Sequence, residues 1–205
     1  MPLIEKRMRP LAVMVAAYMI VGMYLVLSQW NIEFLYYWVV PVVEIGCVVW
    51  LTKHAFVPLW ILWGLVLWGL VHMCGGTIMI SPDWADPGSS GTLYNLRIAP
   101  WLPRYDQVVH ACGFGLAAAT GWCGIRTIMR PENSSAVAVW FTVWLVGMGV
   151  GAMNEVIEFI ATQTMTWTNV GGYANTGWDL VSNCIGTAAA ATWAVATRKT
   201  TDFRP

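Results

Sequence analysis

Histidines and acidic residues recur near the ends of the apolar stretches in this 205-residue chain. Asp106 and His110 stand at positions i and i+4, so they share one face of a helix. Ionisable side chains inside a bilayer are costly and mark functional sites by default. Imidazole and carboxylate groups are ligands of zinc, manganese and non-haem iron. We therefore predict a divalent metal site, of open metal identity, built from these six residues: His72, Asp106, His110, Glu155, Glu158 and Asp179.

Two asparagines accompany these residues. Asn154 directly precedes Glu155, and Asn183 follows Asp179 at spacing i, i+4. We expect both asparagines to hold carboxylates in place through hydrogen bonds around the metal ligands. Beside a metal with an open coordination position, Glu155 or Glu158 is the predicted general base on a bound water. Two other interpretations stay open: a hydrogen-bonded polar network without an ion, and a path for protons or ions.

The elements that must position these residues are membrane-spanning helices. The chain is 58% hydrophobic and only 11% charged, whereas a soluble domain has roughly 25% charged residues. Helices need about 20 apolar residues to cross a bilayer. The sequence predicts an all-α polytopic bundle, one membrane domain over residues 1–205, with six spans at about 11–28, 35–51, 56–74, 108–125, 136–161 and 178–196.

The basic residues predict the orientation of the bundle. With six spans, all but two of the 11 Lys and Arg residues, Arg130 and Arg204 among them, fall on one side of the membrane. Only Arg97 and Arg104 fall on the other side. The positive-inside rule then places both termini in the cytoplasm and the His/Asp/Glu cluster on the outer, periplasmic side of an inner (plasma) membrane.

Two long connections are predicted on that outer side. The first, residues 75–104, contains turn-forming residues such as Pro87, Gly88 and Ser90 and is long enough to fold back as a lid. The second, residues 162–177, is uncharged and rich in Thr, Asn and Gly, so its backbone can approach a site closely.

Small residues recur at helix-packing spacing in the last three spans. We interpret them as contacts within one bundle, with a homodimer interface as the alternative; they are Gly113, Ala117, Gly121, Gly147, Gly151, Gly186, Ala190 and Ala194. The five cysteines are interpreted as small buried hydrophobes, with a disulfide between outer cysteines left open.

One further acidic residue and many tryptophans lie in the predicted spans outside the His/Asp/Glu cluster. Glu44 lies near the middle of the second span, where a hydrogen bond to a neighbouring helix and a role in transport are both open. The 14 tryptophans exceed what membrane interfaces require. Trp60, Trp63 and Trp68 are therefore expected to be packed or lipid-facing, with a pigment or quinone pocket as the alternative.

Four sequence pieces carry a family resemblance: HMCGG at His72, YDQVVHACGFG from Tyr105, NEVIEF from Asn154 and NTGWDLVSNCIGTA from Asn175. In order and spacing they resemble the YjdF-like inner-membrane proteins, and more distantly they are similar to VanZ-like membrane proteins. The resemblance implies the same architecture and the same six site residues, and names no reaction. The chain departs from the family pattern at Asn175 and Gly177, where many members carry an acidic residue, so no acidic ligand is expected from that loop.

Three functions follow from these patterns. The first is metal-dependent hydrolysis of a membrane lipid or other amphiphile that enters from the outer leaflet, covered by the long loop. The second is a non-catalytic accessory or assembly subunit of a larger membrane complex. The third is proton or metal-ion transport. The formal net charge of zero gives no reason to expect a nucleic-acid partner.

Overall fold

Long apolar helices make up most of the protein, whose computed structural model describes residues 6–86, 89, 91–129 and 133–200. Six helical segments are long and apolar enough to cross a membrane, and the second of them is broken into two helices. The described helices are α1 (Arg9–Ser28), α2 (Ile32–Tyr37), α3 (Val39–His54), α4 (Leu59–Thr77), α5 (Tyr105–Ile128), α6 (Ala136–Thr164) and α7 (Tyr173–Thr197).

This confirms the predicted all-α fold with six apolar spans. The cytoplasmic position of the termini stays a prediction. Arg130 and Arg204, which contributed to it, lie outside the described residues, as do Pro87, Gly88 and Ser90 of the first predicted loop.

The second predicted loop is shorter than expected. Helix α6 continues to Thr164 and α7 begins at Tyr173, so the connection covers residues 165–172 instead of 162–177. Thr164 continues the helix because its hydroxyl donates to the Ile160 carbonyl at 2.8 Å. The earlier start of α7 places Asn175 on the helix, one turn before Asp179.

The first predicted loop also begins later than expected, because α4 continues to Thr77. Gly75 and Gly76 remain helical since their missing side chains make room for two aromatic rings. A Cβ atom at Gly75 would meet the ring of Tyr94, and one at Gly76 would meet the ring of Phe34. These two glycines therefore serve close packing at the end of α4, where the sequence predicts a turn.

The second span breaks at Trp38, between α2 and α3. Pro41 has no N–H to donate to the Tyr37 carbonyl, four residues earlier, and its ring crowds that carbonyl. Asn31 caps the start of α2, where its side-chain oxygen accepts from the Phe34 N–H at 3.1 Å. As a result, α2 forms a separate short helix next to the connections at one end of the bundle.

Helices α5, α6 and α7 form the packed centre, and α7 makes its most extensive contacts with α5 and α6. Helix α4 packs on α5, and α1 packs on α4. Large apolar side chains such as Trp122, Ile61 and Val143 are fully buried between them. Many other apolar side chains face outward, as expected for a surface in contact with lipid.

The small residues of the last three spans lie at helix contacts, as predicted. A Cβ at Gly186 would meet the backbone of Ala111 on α5, and a Cβ at Gly147 would meet the side chains of Thr187 and Ala118. A homodimer interface stays an untested alternative. The prediction of buried cysteines is confirmed for Cys123 and wrong for Cys47 and Cys112, which are exposed on helix surfaces; Cys74 and Cys184 are partly buried.

The cysteines form no disulfide, and all five belong to the described residues. The three tryptophans considered for a cofactor pocket make ordinary packing contacts. Trp60 contacts Trp193 edge-on with ring centroids 5.1 Å apart, and Trp63 packs against the apolar core. Trp68 donates its indole N–H to the Val109 carbonyl at 2.9 Å, which joins α4 to α5.

The connection from α4 to α5, residues 78–104, folds back on itself. Two isolated antiparallel bridges, Met79 with Thr92 and Ala85 with Leu96, fasten its described parts together. Tyr105 fastens the end of the connection to the bundle, because its hydroxyl donates to the Val71 carbonyl at 2.7 Å. This connection and residues 165–172 lie near α2, and we call this part of the molecule the site end.

Candidate functional site

Three helices bring five of the six predicted ligands together at the site end. Two groups of possible metal ligands meet there, and within each group the ligand atoms lie within 4.8 Å of one another. The first group is Asp106, His110 and Asp179, and the second is His110, Glu155 and Glu158. These five predicted residues therefore form a possible His/Asp/Glu cluster, and its role as a metal site stays a prediction.

His110 belongs to both groups and is buried. Its Nε2 atom lies 3.6 Å from Asp106 Oδ1, and its Nδ1 atom lies 3.7 Å from Glu155 Oε1. Nδ1 also lies 3.1 Å from Asn183 Oδ1, the only hydrogen-bond partner of this ring in the described part of the chain. With the amide oxygen of Asn183 as the acceptor in this contact, Nδ1 would carry the proton and the Nε2 lone pair would face Asp106.

The buried acids have fewer donors than their oxygens require. Both carboxylate oxygens of Glu155 are buried without a hydrogen bond of good geometry among the described residues, although the side chains of Asn154 and Thr176 lie close enough to interact with them. Asp179 is fully buried; one oxygen accepts from Asn175 Nδ2 at 2.6 Å, and the other has no partner in the described chain. Such groups are expensive to bury, and a cation would supply the partner that they lack.

The two predicted asparagines contact the site in different ways. Asn154 Nδ2 donates to Glu158 Oε1 at 2.7 Å, which confirms the predicted contact with a carboxylate. Asn183 instead contacts His110, and so it orients an imidazole where a carboxylate was expected. Glu158 is half-buried, whereas Glu155 is buried.

His72 lies apart from both groups. Its ring stacks on Trp68 with centroids 5.2 Å apart, and its Nδ1 atom lies 2.8 Å from the hydroxyl oxygen of Tyr94. The same hydroxyl donates to the His72 carbonyl at 2.7 Å. Burial raises the pKa of Tyr94, so the phenol stays protonated and holds His72 at the edge of the site. The role of His72 as a metal ligand stays a prediction.

Arg104 is a site residue that the sequence reasoning missed. It is 9% exposed, and its NH2 atom lies 3.9 Å from Asp106 Oδ2. Its NH1 atom lies 3.5 Å from Asp86 Oδ2 in the folded connection. An arginine two positions before a candidate ligand, at the end of the predicted loop 75–104, is the signal that could have identified it.

Glu33 and Asn175 were missed as well. Glu33 on α2 is 4% exposed, and its oxygens accept from the Asn169 backbone N–H at 2.9 and 2.8 Å. Glu33 Oε2 also accepts from Asn169 Nδ2 at 2.8 Å. Asn175 forms the contact to Asp179, and the repeated i, i+4 spacing of Asn175, Asp179 and Asn183 is its signal in the sequence.

Glu44 lies on α3, outside both groups. It is half-buried and lies close to Tyr18 of α1. This position fits contact with a neighbouring helix better than membership of the site.

A family comparison supports the membrane assignment. Residues 9–200 match a family model described as "Predicted membrane protein (DUF2238)". Comparisons with curated proteins and with solved structures give no match. The finer likeness to YjdF-like and VanZ-like proteins stays a prediction.

Proposed function

This chain belongs to the DUF2238 family of predicted membrane proteins, and we propose that it is a divalent-metal-dependent hydrolase that acts on a membrane lipid or other amphiphile. The observation that carries the proposal is the convergence of one imidazole and four carboxylates, among which Glu155 and Asp179 have buried oxygens without a hydrogen bond of good geometry in the described chain. Carboxylates grouped in this way repel one another, and a bound cation would offset their charge.

Ligand chemistry supports a divalent ion. One imidazole and four carboxylates form a hard, oxygen-rich donor set, which suits manganese, iron or zinc. In the first group the Nε2 atom of His110 faces Asp106, because Asn183 contacts Nδ1. His110 also belongs to the second group, where Glu155 and Glu158 offer two further carboxylates.

The remaining residues have roles that fit hydrolysis. A bound divalent ion would supply Lewis acidity and lower the pKa of a coordinated water. Glu158 is the better candidate for the proton acceptor, because Asn154 orients it and it is half-buried, within reach of proton exchange. Glu155 would then complete the ligand set. The folded connection 78–104 would shield the reaction from bulk water.

A metal and product analysis of purified protein tests this proposal. Protein prepared without chelator is expected to hold stoichiometric metal and to release product from a panel of bilayer lipids, measured by elemental analysis and mass spectrometry. Glu155→Gln keeps the shape of the side chain but removes its charge. We expect it to lower metal affinity by about 10- to 100-fold and to reduce turnover in parallel.

Glu44→Gln is the matched control, since it removes an acid from the same membrane domain but outside both ligand groups. It should retain metal and turnover. Wild-type protein that stays metal-free after reloading with zinc, manganese and iron would contradict the proposal. In that case the polar-network interpretation, and with it an accessory-subunit function, would be favoured; transport also stays a prediction.

A further inference from the structure

The guanidinium group of Arg104 is buried beside the ligand groups and has donors to spare. Arginine carries five N–H donors and cannot lose its charge. The Nε atom of Arg104 is buried without a hydrogen-bond partner in the described residues. Its other two nitrogens lie 3.5 and 3.9 Å from carboxylate oxygens, beyond the length of a strong charge-assisted hydrogen bond.

Neither neighbouring acid is an exclusive partner for this group. Asp86 makes its shorter contact with Arg97, whose Nε lies 2.8 Å from Asp86 Oδ1. Asp106 belongs to the first ligand group, where its other oxygen faces His110 Nε2 at 3.6 Å. Arg104 therefore lies next to the proposed metal site with unused donors, in a place where leaving them unsatisfied costs free energy.

We propose that Arg104 binds the phosphate group of the substrate, so that the substrate is a phosphate-bearing amphiphile. This inference rests on the proposed function, because the substrate must reach the Asp106, His110 and Asp179 group. The planar fork of a guanidinium matches the geometry of phosphate oxygens and can bind two of them at once. A phosphate held there would lie between a fixed cation and the metal ligands.

The position of Arg104 suits a group that arrives from the membrane. It lies directly before α5, where the folded connection meets the bundle. A lipid headgroup would enter at this level, with its chains along the apolar helix surfaces. The same phosphate chemistry could come from free phosphate in solution, so the experiment must separate the two sources.

Calorimetric titration of the full chain tests the inference. The protein is kept in a phosphate-free maltoside detergent and titrated with dodecyl phosphate and, separately, with inorganic phosphate. Wild type is expected to bind dodecyl phosphate more tightly than inorganic phosphate. Arg104→Gln should weaken dodecyl phosphate binding by about 10- to 100-fold, as expected for the loss of charge-assisted hydrogen bonds. Its metal content should stay at the wild-type level.

Arg97→Gln is the matched control, because Arg97 contacts the same Asp86 and its side chain is 33% exposed. It should bind dodecyl phosphate within about twofold of wild type, the small effect expected for a screened surface charge. If Arg104→Gln aggregates, Arg104→Lys serves as the second variant, because it keeps the positive charge but lacks the planar guanidinium fork. It should bind dodecyl phosphate about tenfold more weakly than wild type does.

The outcomes separate this inference from the metal proposal. Metal-loaded wild type that does not bind dodecyl phosphate, or an Arg104→Gln variant with unchanged affinity, would overturn the inference alone. Equal affinity for inorganic phosphate and dodecyl phosphate would overturn the inference that the ligand is an amphiphile and would identify free phosphate as the ligand. Binding that depends on Arg104 in protein that takes up no metal would contradict the metal proposal and support phosphate recognition.

Discussion

Helices α5, α6 and α7 pack differently in the interior of the bundle and where they reach the site end. In the interior, small residues such as Gly186 and Gly147 let the helices approach closely, and the surrounding side chains are apolar and fully buried. At the site end, polar side chains are equally buried, yet Glu155 and Asp179 have oxygens without a hydrogen bond of good geometry among the described residues. Tight packing in one region thus holds a costly polar arrangement in the other.

The largest loss of stability is expected from a substitution in the interior of the bundle. Gly186→Leu would place a side chain against the Ala111 backbone, which cannot move without separating α5 from α7. We expect a loss of about 3 kcal/mol or more in stability, because overpacking against backbone has no inexpensive relief. Thermal unfolding in detergent, followed by size-exclusion chromatography with fluorescence detection, measures it.

Gly149→Leu is the control, since nothing lies within 4 Å of a Cβ added at Gly149. It should unfold at the wild-type temperature. If the two variants were equally stable, close packing between α5 and α7 would not be what holds the site together.

Sequence spacing identified the parts of the site that are local in the chain. The i, i+4 pair of Asp106 and His110 and the short spacing of Glu155 and Glu158 follow from helix geometry alone. That α5, α6 and α7 are neighbours was indicated by their small-residue faces. The fold was predictable for the same reason: long apolar runs leave helices as the main choice in a bilayer.

Contacts between residues far apart in the chain were not predictable in this way. Nothing in the spacing indicates that Asn183 contacts His110, that Tyr94 holds His72, or that Glu33 binds Asn169. Each depends on where a connection or a short helix docks after the spans have packed. The end of α4 was misplaced for a related reason, because Gly75 and Gly76, which usually mark turns, here admit aromatic rings into helix contacts.

The second-largest effect is expected at the site, where a substitution should weaken metal binding more than it lowers stability. Asn183→Ala removes the partner of His110 Nδ1 and frees the ring to change tautomer. We expect metal affinity to fall by about 10- to 100-fold, as for other residues that orient a ligand. The unfolding temperature should fall less than in Gly186→Leu, because the cost is limited to one small cavity and one buried imidazole nitrogen that loses its partner. Competition with a fluorescent chelator measures the affinity.

Thr187→Val is the matched control for that variant. Thr187 is also fully buried on α7, one turn further from the site, and its hydroxyl donates within its own helix to the Asn183 carbonyl at 2.7 Å. Metal affinity should stay within about twofold of wild type, since only an intrahelical bond is removed. A comparable loss of metal affinity in both variants would mean that metal binding at the site depends on the packing of the interior.

The smallest effect is expected where α2 fastens the connection 165–172 over the site end. Glu33→Gln keeps an acceptor oxygen but removes the charge that three short hydrogen bonds from Asn169 share. Hydrogen bonds to charged groups exceed neutral ones by about 1 kcal/mol, so the segment around Asn169 should open roughly fivefold more often. Hydrogen exchange measured by mass spectrometry should rise in peptides that cover 165–172 and stay unchanged in those from α5.

The Glu44→Gln variant should leave both regions as in wild type, because Glu44 lies on α3, away from Asn169. Faster exchange throughout the bundle after Glu33→Gln would show instead that α2 stabilises the whole fold, and the site end would no longer count as a separately fastened region.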